Sequence, residues 1–215
     1  MAEYMINYGV PNDAYYIDTS LYRGDISFYL EVPDAGYYTT NVFELSRAIQ
    51  YLESDFPNWK DFTRAFVHKG LILVQELTIE IIQHSVKSAY SNGFYDFQEP
   101  RETINRQEYL TPSYQIRDTK EMPEIESVTN DSQLQREGIS AKLINVHLQN
   151  ARYSLMAVLC TDVQDYFNSI VEANPEEAIL AVPGLVLIRS WSEVTPEEIV
   201  KYCFNQKYFD SLKPS

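Results

Sequence analysis

The chain has 215 residues, 45% of them hydrophobic and 22% charged, which suits a globular domain able to bury about 70% of its unfolded surface without staples. Acids outnumber bases 31 to 17, for a formal net charge of −14, so nucleic-acid phosphates are repelled unless a local basic patch exists, and none is found. There is no apolar run of membrane-spanning length, no signal-peptide pattern at Met1–Met5, and only two cysteines, Cys160 and Cys203, read as reduced core thiols. An intracellular, cytoplasmic location is therefore expected. The one compositional oddity is aromatic: 17 Tyr and 10 Phe. Tyrosine joins an apolar body to a polar tip at low entropic cost, which suits interfaces.

Residues 1–40 read as β and turn, a small Tyr-rich N-terminal sheet or arm. Short runs at Ala14–Ile17, Asp25–Val32 and Tyr37–Thr40 are separated by Arg23-Gly24-Asp25 and by Pro33-Asp34-Ala35-Gly36. The Arg-Gly-Asp tripeptide is read as a tight turn.

Residues 41–92 read as helices. Val42, Leu45, Ile49 and Leu52 share one face of a helix over 41–55. From Lys60 to Ser91 the chain is apolar on most sides, which predicts a core helix roughly 45 Å long, closed by Asn92-Gly93. A strand across Leu71–Ile82 is the competing reading.

Residues 93–138 carry ten acids, five Lys or Arg, and prolines at 100, 112 and 123, with no apolar period. They read as an extended or irregular arm, with short helical pieces near Arg101–Tyr109 and Ser132–Glu137. Its aromatics Tyr95, Phe97, Tyr109 and Tyr114 are the candidate interaction residues, as anchors on a partner surface.

Residues 139–210 read as a second helical half. Ile144, Leu148, Ala151, Leu155, Leu159, Val163, Tyr166 and Ile170 step by three or four, predicting a helix over 139–173 that packs antiparallel on the first. Leu185–Ile188 reads as a short buried strand near 185–190 pairing with the N-terminal sheet. Thr195-Pro196-Glu197-Glu198 is a capping box opening a last helix. No internal repeat of useful length is apparent. The expected fold is a single α+β domain, mainly helical: a long antiparallel helix pair, a C-terminal helix and the small sheet.

Chemistry-bearing patterns are sparse. Glu76, Glu80 and His84, at i, i+4 and i+8, are weak candidates for a metal site, for on one helix they would share a face. No matching ligands lie on the partner stripe, so a solvated polar stripe explains them better. His68 and His147 sit alone in apolar patterns. There is no nucleophile elbow, and no two of the seven glycines lie within three residues, so no phosphate-cradling loop is present. No catalytic residue, metal or other cofactor is expected.

These readings favour a non-catalytic structural or assembly subunit with protein partners of its own or a larger complex, and neither nucleic acid nor membrane. By analogy of composition, virion and phage tail or neck components are such chains. The alternatives are an enzyme with a scattered carboxylate and histidine site, or an acidic mimic of nucleic acid.

Overall fold

The computed structural model describes residues 4–8, 13–53, 65–103, 122–171 and 178–214. The mainly helical expectation is overturned: the described residues form two five-stranded mixed sheets with six α-helices. The chain is α+β with substantial sheet.

The first half runs β1 (Met5–Asn7), α1 (Asp13–Arg23), β2 (Asp25–Val32), β3 (Gly36–Glu44), α2 (Leu45–Glu53), β4 (Ala65–Phe66), β5 (Leu71–Val74) and α3 (Ile79–Ser91), then a 3-10 turn over Phe94–Phe97. The second runs β6 (Glu124–Asn130), α4 (Ser132–Arg136), β7 (Ala141–Leu148), β8 (Ala151–Leu159), α5 (Cys160–Val171), β9 (Ile179–Leu180), β10 (Leu185–Ile188) and α6 (Pro196–Asn205), then a 3-10 turn over Tyr208–Ser211. The order of elements is the same twice over.

The pairing repeats as well. One sheet is β1-β2-β3-β5-β9 and the other is β6-β7-β8-β10-β4. In each, a hairpin is followed by a parallel strand, with Asn41 opposite Leu71 in one and Met156 opposite Leu185 in the other. The last strand of each sheet comes from the other half: β9 pairs with β5, and β4 pairs with β10, in matching antiparallel register. The halves therefore exchange strands reciprocally.

A pseudo-two-fold axis follows from this. Gln98 bridges Leu212, and each occupies the same place in its own half. Two backbone hydrogen bonds flank the bridge symmetrically: Glu99 N–H donates to the Ser211 carbonyl (3.2 Å) and Lys213 N–H to the Phe97 carbonyl (2.9 Å). Gly70 and Gly184, just before the parallel strands, match in detail. Both are left-handed (φ 59° and 71°), and their carbonyls accept from Asn41 and Met156 N–H at 3.0 and 2.9 Å. A Cβ would lie 1.9 Å from the Thr39 carbonyl oxygen at Gly70 and 2.4 Å from that of Ser154 at Gly184, so only glycine fits.

Three cores result. The central one is shared: Phe43, Leu45, Ala48, Leu71 and Leu73 from the first half meet Val158, Cys160, Val163, Leu185 and Leu187 from the second, with α2 packed on α5. Each sheet also buries its outer face, the first under α1 and α3, the second under α6. Leu71–Val74 and Leu185–Ile188 are buried on both faces, which is why they read as unbroken apolar runs.

Several expectations are corrected by this topology. The long helix over 60–91 is replaced, among its described residues, by β4, β5 and α3. The helix over 139–173 is a hairpin, β7-β8, followed by α5. Steps of four residues satisfy a strand as well as a helix, because four is a multiple of two. The apolar residues between those steps, Val146, Tyr153 and Ala157, mark the strand, and the step of three from Leu148 to Ala151 crosses the Gln149-Asn150 turn. The helix over 41–55 begins only at Leu45, because Val42 and Phe43 belong to β3. Ala14–Ile17 is helical rather than extended. The arm over 93–138 contains the strand β6 beside the expected short helix at Ser132–Arg136, and Leu185–Ile188 pairs with β8 and β4, not with the N-terminal sheet. An internal repeat, which the sequence does not announce, organises the described residues.

Other expectations hold. Thr195 accepts from Glu198 N–H and the Glu198 carboxylate accepts from Thr195 N–H, a full capping box. Gly93 is left-handed at the end of α3. No helix among the described residues is long and apolar enough to cross a membrane.

Candidate functional site

The metal candidates do not converge. Glu76 lies in the loop before α3, not on it, so the i, i+4, i+8 relation is broken at its first member. Glu80 and His84 are exposed on α3, and no group of three metal-ligating side chains is found among the described residues. Of the interaction candidates, Tyr95 is buried, its hydroxyl 3.1 Å from Thr40 Oγ1, and burial raises its pKa. It is core, not anchor. Phe97 is 56% exposed beside the pseudo-axis, while Tyr109 and Tyr114 lie outside the described residues.

The buried titratable groups serve packing. His68 completes a three-ring cluster with Phe43 and Phe66, whose centroids are each 4.7 Å from it and 5.1 Å from one another, and desolvation there lowers its pKa to about 4. Burial pushes the Cys203 and Cys160 thiols up, away from the reactive thiolate. Neither behaves as an activated nucleophile. His147 is half-buried near the end of β7.

Two features of the surface are distinctive. The first is α1. Its inner face packs Tyr16, Ile17 and Leu21 on the outer core, and the Tyr16 hydroxyl both donates to the Ser27 carbonyl (2.7 Å) and accepts from Ser27 N–H (3.2 Å). The outer face carries Tyr15 and Tyr22, two turns apart, 70% and 93% exposed. Asp18 lies exposed between them.

The second is a crevice of about 300 Å³ in the second half, lined by Tyr153, Phe204, Phe209 and Asp210 and by the Leu148–Ala151 turn. Here Tyr153 and Phe209 meet edge to face, with centroids 5.4 Å apart at 62°. The repeat supplies its twin: Tyr38 and Tyr95 meet at 5.5 Å and 60°. Asp210 then matches Asp96, and Phe204 matches Tyr90. Burial raises the pKa of both Tyr38 and Tyr153, and each is raised further by the carboxylate of its own half and by Glu99.

These two aromatic clusters were missed in the sequence. The signal that could have found them is the pair Phe94-Tyr95-Asp96 and Tyr208-Phe209-Asp210, each placed after a helix end and a left-handed residue, Gly93 or Lys207. Compared with known protein families, curated proteins and solved structures, the chain matches none.

Proposed function

We propose that this protein is a non-catalytic binding subunit that works by self-association or within a larger protein assembly. The observation that carries the reading is the outward face of α1, where Tyr15 and Tyr22 stand exposed on one stripe of a helix whose other face is anchored. Large aromatics at such positions are costly in water and are what interface centres use. A virion or phage tail is one setting in which this composition is met.

Light scattering after size exclusion, on the purified chain across concentration and salt, tests the reading. The expected result is a mass above that of one chain. Association should strengthen with added salt, because copies of net charge −14 repel one another until screened. The double variant Tyr15→Ser, Tyr22→Ser should lose association while keeping its fold. A chain that stays single at every concentration, and also runs as a single chain in fresh extract of its source, contradicts the reading.

A further inference from the structure

The two sheets end differently. Among the described residues their outer strands are β1, β9 and β4, of three, two and two residues, and β6, of seven. Short edges are one way a sheet avoids pairing with other chains, and β6 is long enough to take another strand. Its first part is guarded, by the irregular register between Ile125 and Ser127 and by the carboxylates of Glu124 and Glu126. The stretch Ser127-Val128-Thr129-Asn130 carries no charge and no proline, and its register on β7 is regular. Val128, Thr129 and Asn130 are exposed, and Val128, at 40%, is one of the large apolar side chains left in water.

Backbone direction along this stretch follows from one bond. Asp131 N–H donates to the Ala141 carbonyl (3.0 Å), so by the alternation of antiparallel strands Ser127 and Thr129 turn their N–H and C=O groups to β7. Those of Val128 and Asn130 point outward from the sheet. Side chains alternate too. Val128 ends a row that runs through Ile144 and Leu155, both fully buried in the second outer core. Ser127 ends a polar row on the opposite face, where Asn145 Nδ2 donates to Ser127 Oγ (3.0 Å) and Ser154 Oγ donates to Asn145 Oδ1 (2.7 Å).

We propose that residues 127–130 of β6 are a docking edge for a second copy of this chain, the two β6 strands pairing antiparallel about Val128. This goes beyond the α1 contact and does not depend on it. Val128 meets Val128 of the second copy, so the apolar row of one sheet continues into the other. Ser127 falls opposite Thr129 and Glu126 opposite Asn130, so no carboxylate faces another. Glu126 is also held by Arg152 of its own chain, at 3.0 Å. This self-complementary register is what favours a second copy over a foreign strand. A pairing this short is a weak contact, lost in the dilution of size exclusion and formed at high concentration.

The test uses the isotope-labelled full chain carrying Tyr15→Ser and Tyr22→Ser, so that any α1 contact is absent, and follows backbone amides from dilute to concentrated solution. The amides of Val128, Thr129 and Asn130 should shift as concentration rises, and more so at higher salt, while Val128 and Asn130 N–H gain protection from exchange. Val128→Lys and Val128→Glu should each lose these shifts, because like charges then meet at the two-fold. An equal mixture of the two variants should regain them, because the charges are then opposite. Val128→Pro, whose missing N–H serves no bond within the sheet, should abolish pairing in the folded chain. Amides that stay still at every concentration, shifts that survive in the folded Val128→Lys chain, or a mixture no better than its parts overturn the proposal. If the unsubstituted chain associates through α1 while these amides stay still, this inference alone falls. If the amides shift but the α1 substitutions leave the mass in light scattering unchanged, the edge stands and the α1 reading falls.

Discussion

The two halves follow one path but have been finished differently. The first covers its outer sheet face with both α1 and α3, and closes its aromatic cluster with Tyr4. The second has only the five-residue α4 in the place of α1. Leu134 of α4 joins the central core instead, and among the described residues the outer face is packed by α6. The difference separates two kinds of residue. Whatever both halves share, such as Gly70 with Gly184 or the continuous runs of β5 and β10, is there for folding. Whatever only one half has, such as the Tyr15–Tyr22 stripe, can serve binding instead. The exchange of β4 and β9 adds a third lesson: neither half completes its sheet alone, so the repeat is a fused pair, not two domains on a string.

The glycines give the sharpest test of the shared part. Gly70→Ala and Gly184→Ala should each cost about 3 kcal/mol or more, from the left-handed conformation plus the clash with a backbone carbonyl. Urea unfolding of the two variants measures this. Similar losses support equivalence, and a tolerated alanine at either position breaks it.

His68 has no histidine counterpart in the second half, where Val182 takes its place, so it gives an asymmetric test. Its folded pKa, about 4, lies below the ordinary 6.5, so the unfolded chain takes up the proton first. Its contribution is intact above pH 6.5 and is lost as pH falls towards 4, by at most about 3 kcal/mol. His68→Phe should flatten that part of the acid limb in a pH series of denaturation midpoints. An unchanged limb would show that the imidazole is not held neutral against Phe43 and Phe66.

The smallest effects are at the N-caps. Thr78 and Thr195 open α3 and α6 at matching places, and each accepts from the third backbone N–H of its helix. Thr→Ala should cost about 1 kcal/mol at each. The loss should be slightly larger at Thr195, where Glu198 completes the box, as thermal midpoints of the two variants would show.

How much of this could be read in the sequence depended on the range of the interaction. The Thr195 box, the Gly93 stop and the strands Asp25–Val32 and Leu185–Ile188 are local, and local chemistry announces them. The β7-β8 hairpin was hidden because Ile144, Leu148, Leu155 and Leu159 satisfy both periods, and no glycine marks the Gln149-Asn150 turn. The repeat was hidden because its matching islands are short. Gly70-Leu71-Ile72-Leu73-Val74 and Gly184-Leu185-Val186-Leu187-Ile188 agree, but a longer loop before α6 is offset by a shorter helix, 10 residues against 13. The crevice was out of reach altogether, since Tyr153 and Phe209 meet only through the fold.

The central claim is that strand exchange makes the two halves one cooperative unit, with β5 and β10 at its heart. Native-state hydrogen exchange of Leu71–Val74 and Leu185–Ile188 under increasing urea tests this most directly. Both sets of amides should open together, with one free energy equal to that of global unfolding. Two separable openings, with one strand exchanging while the other stays protected, would contradict it.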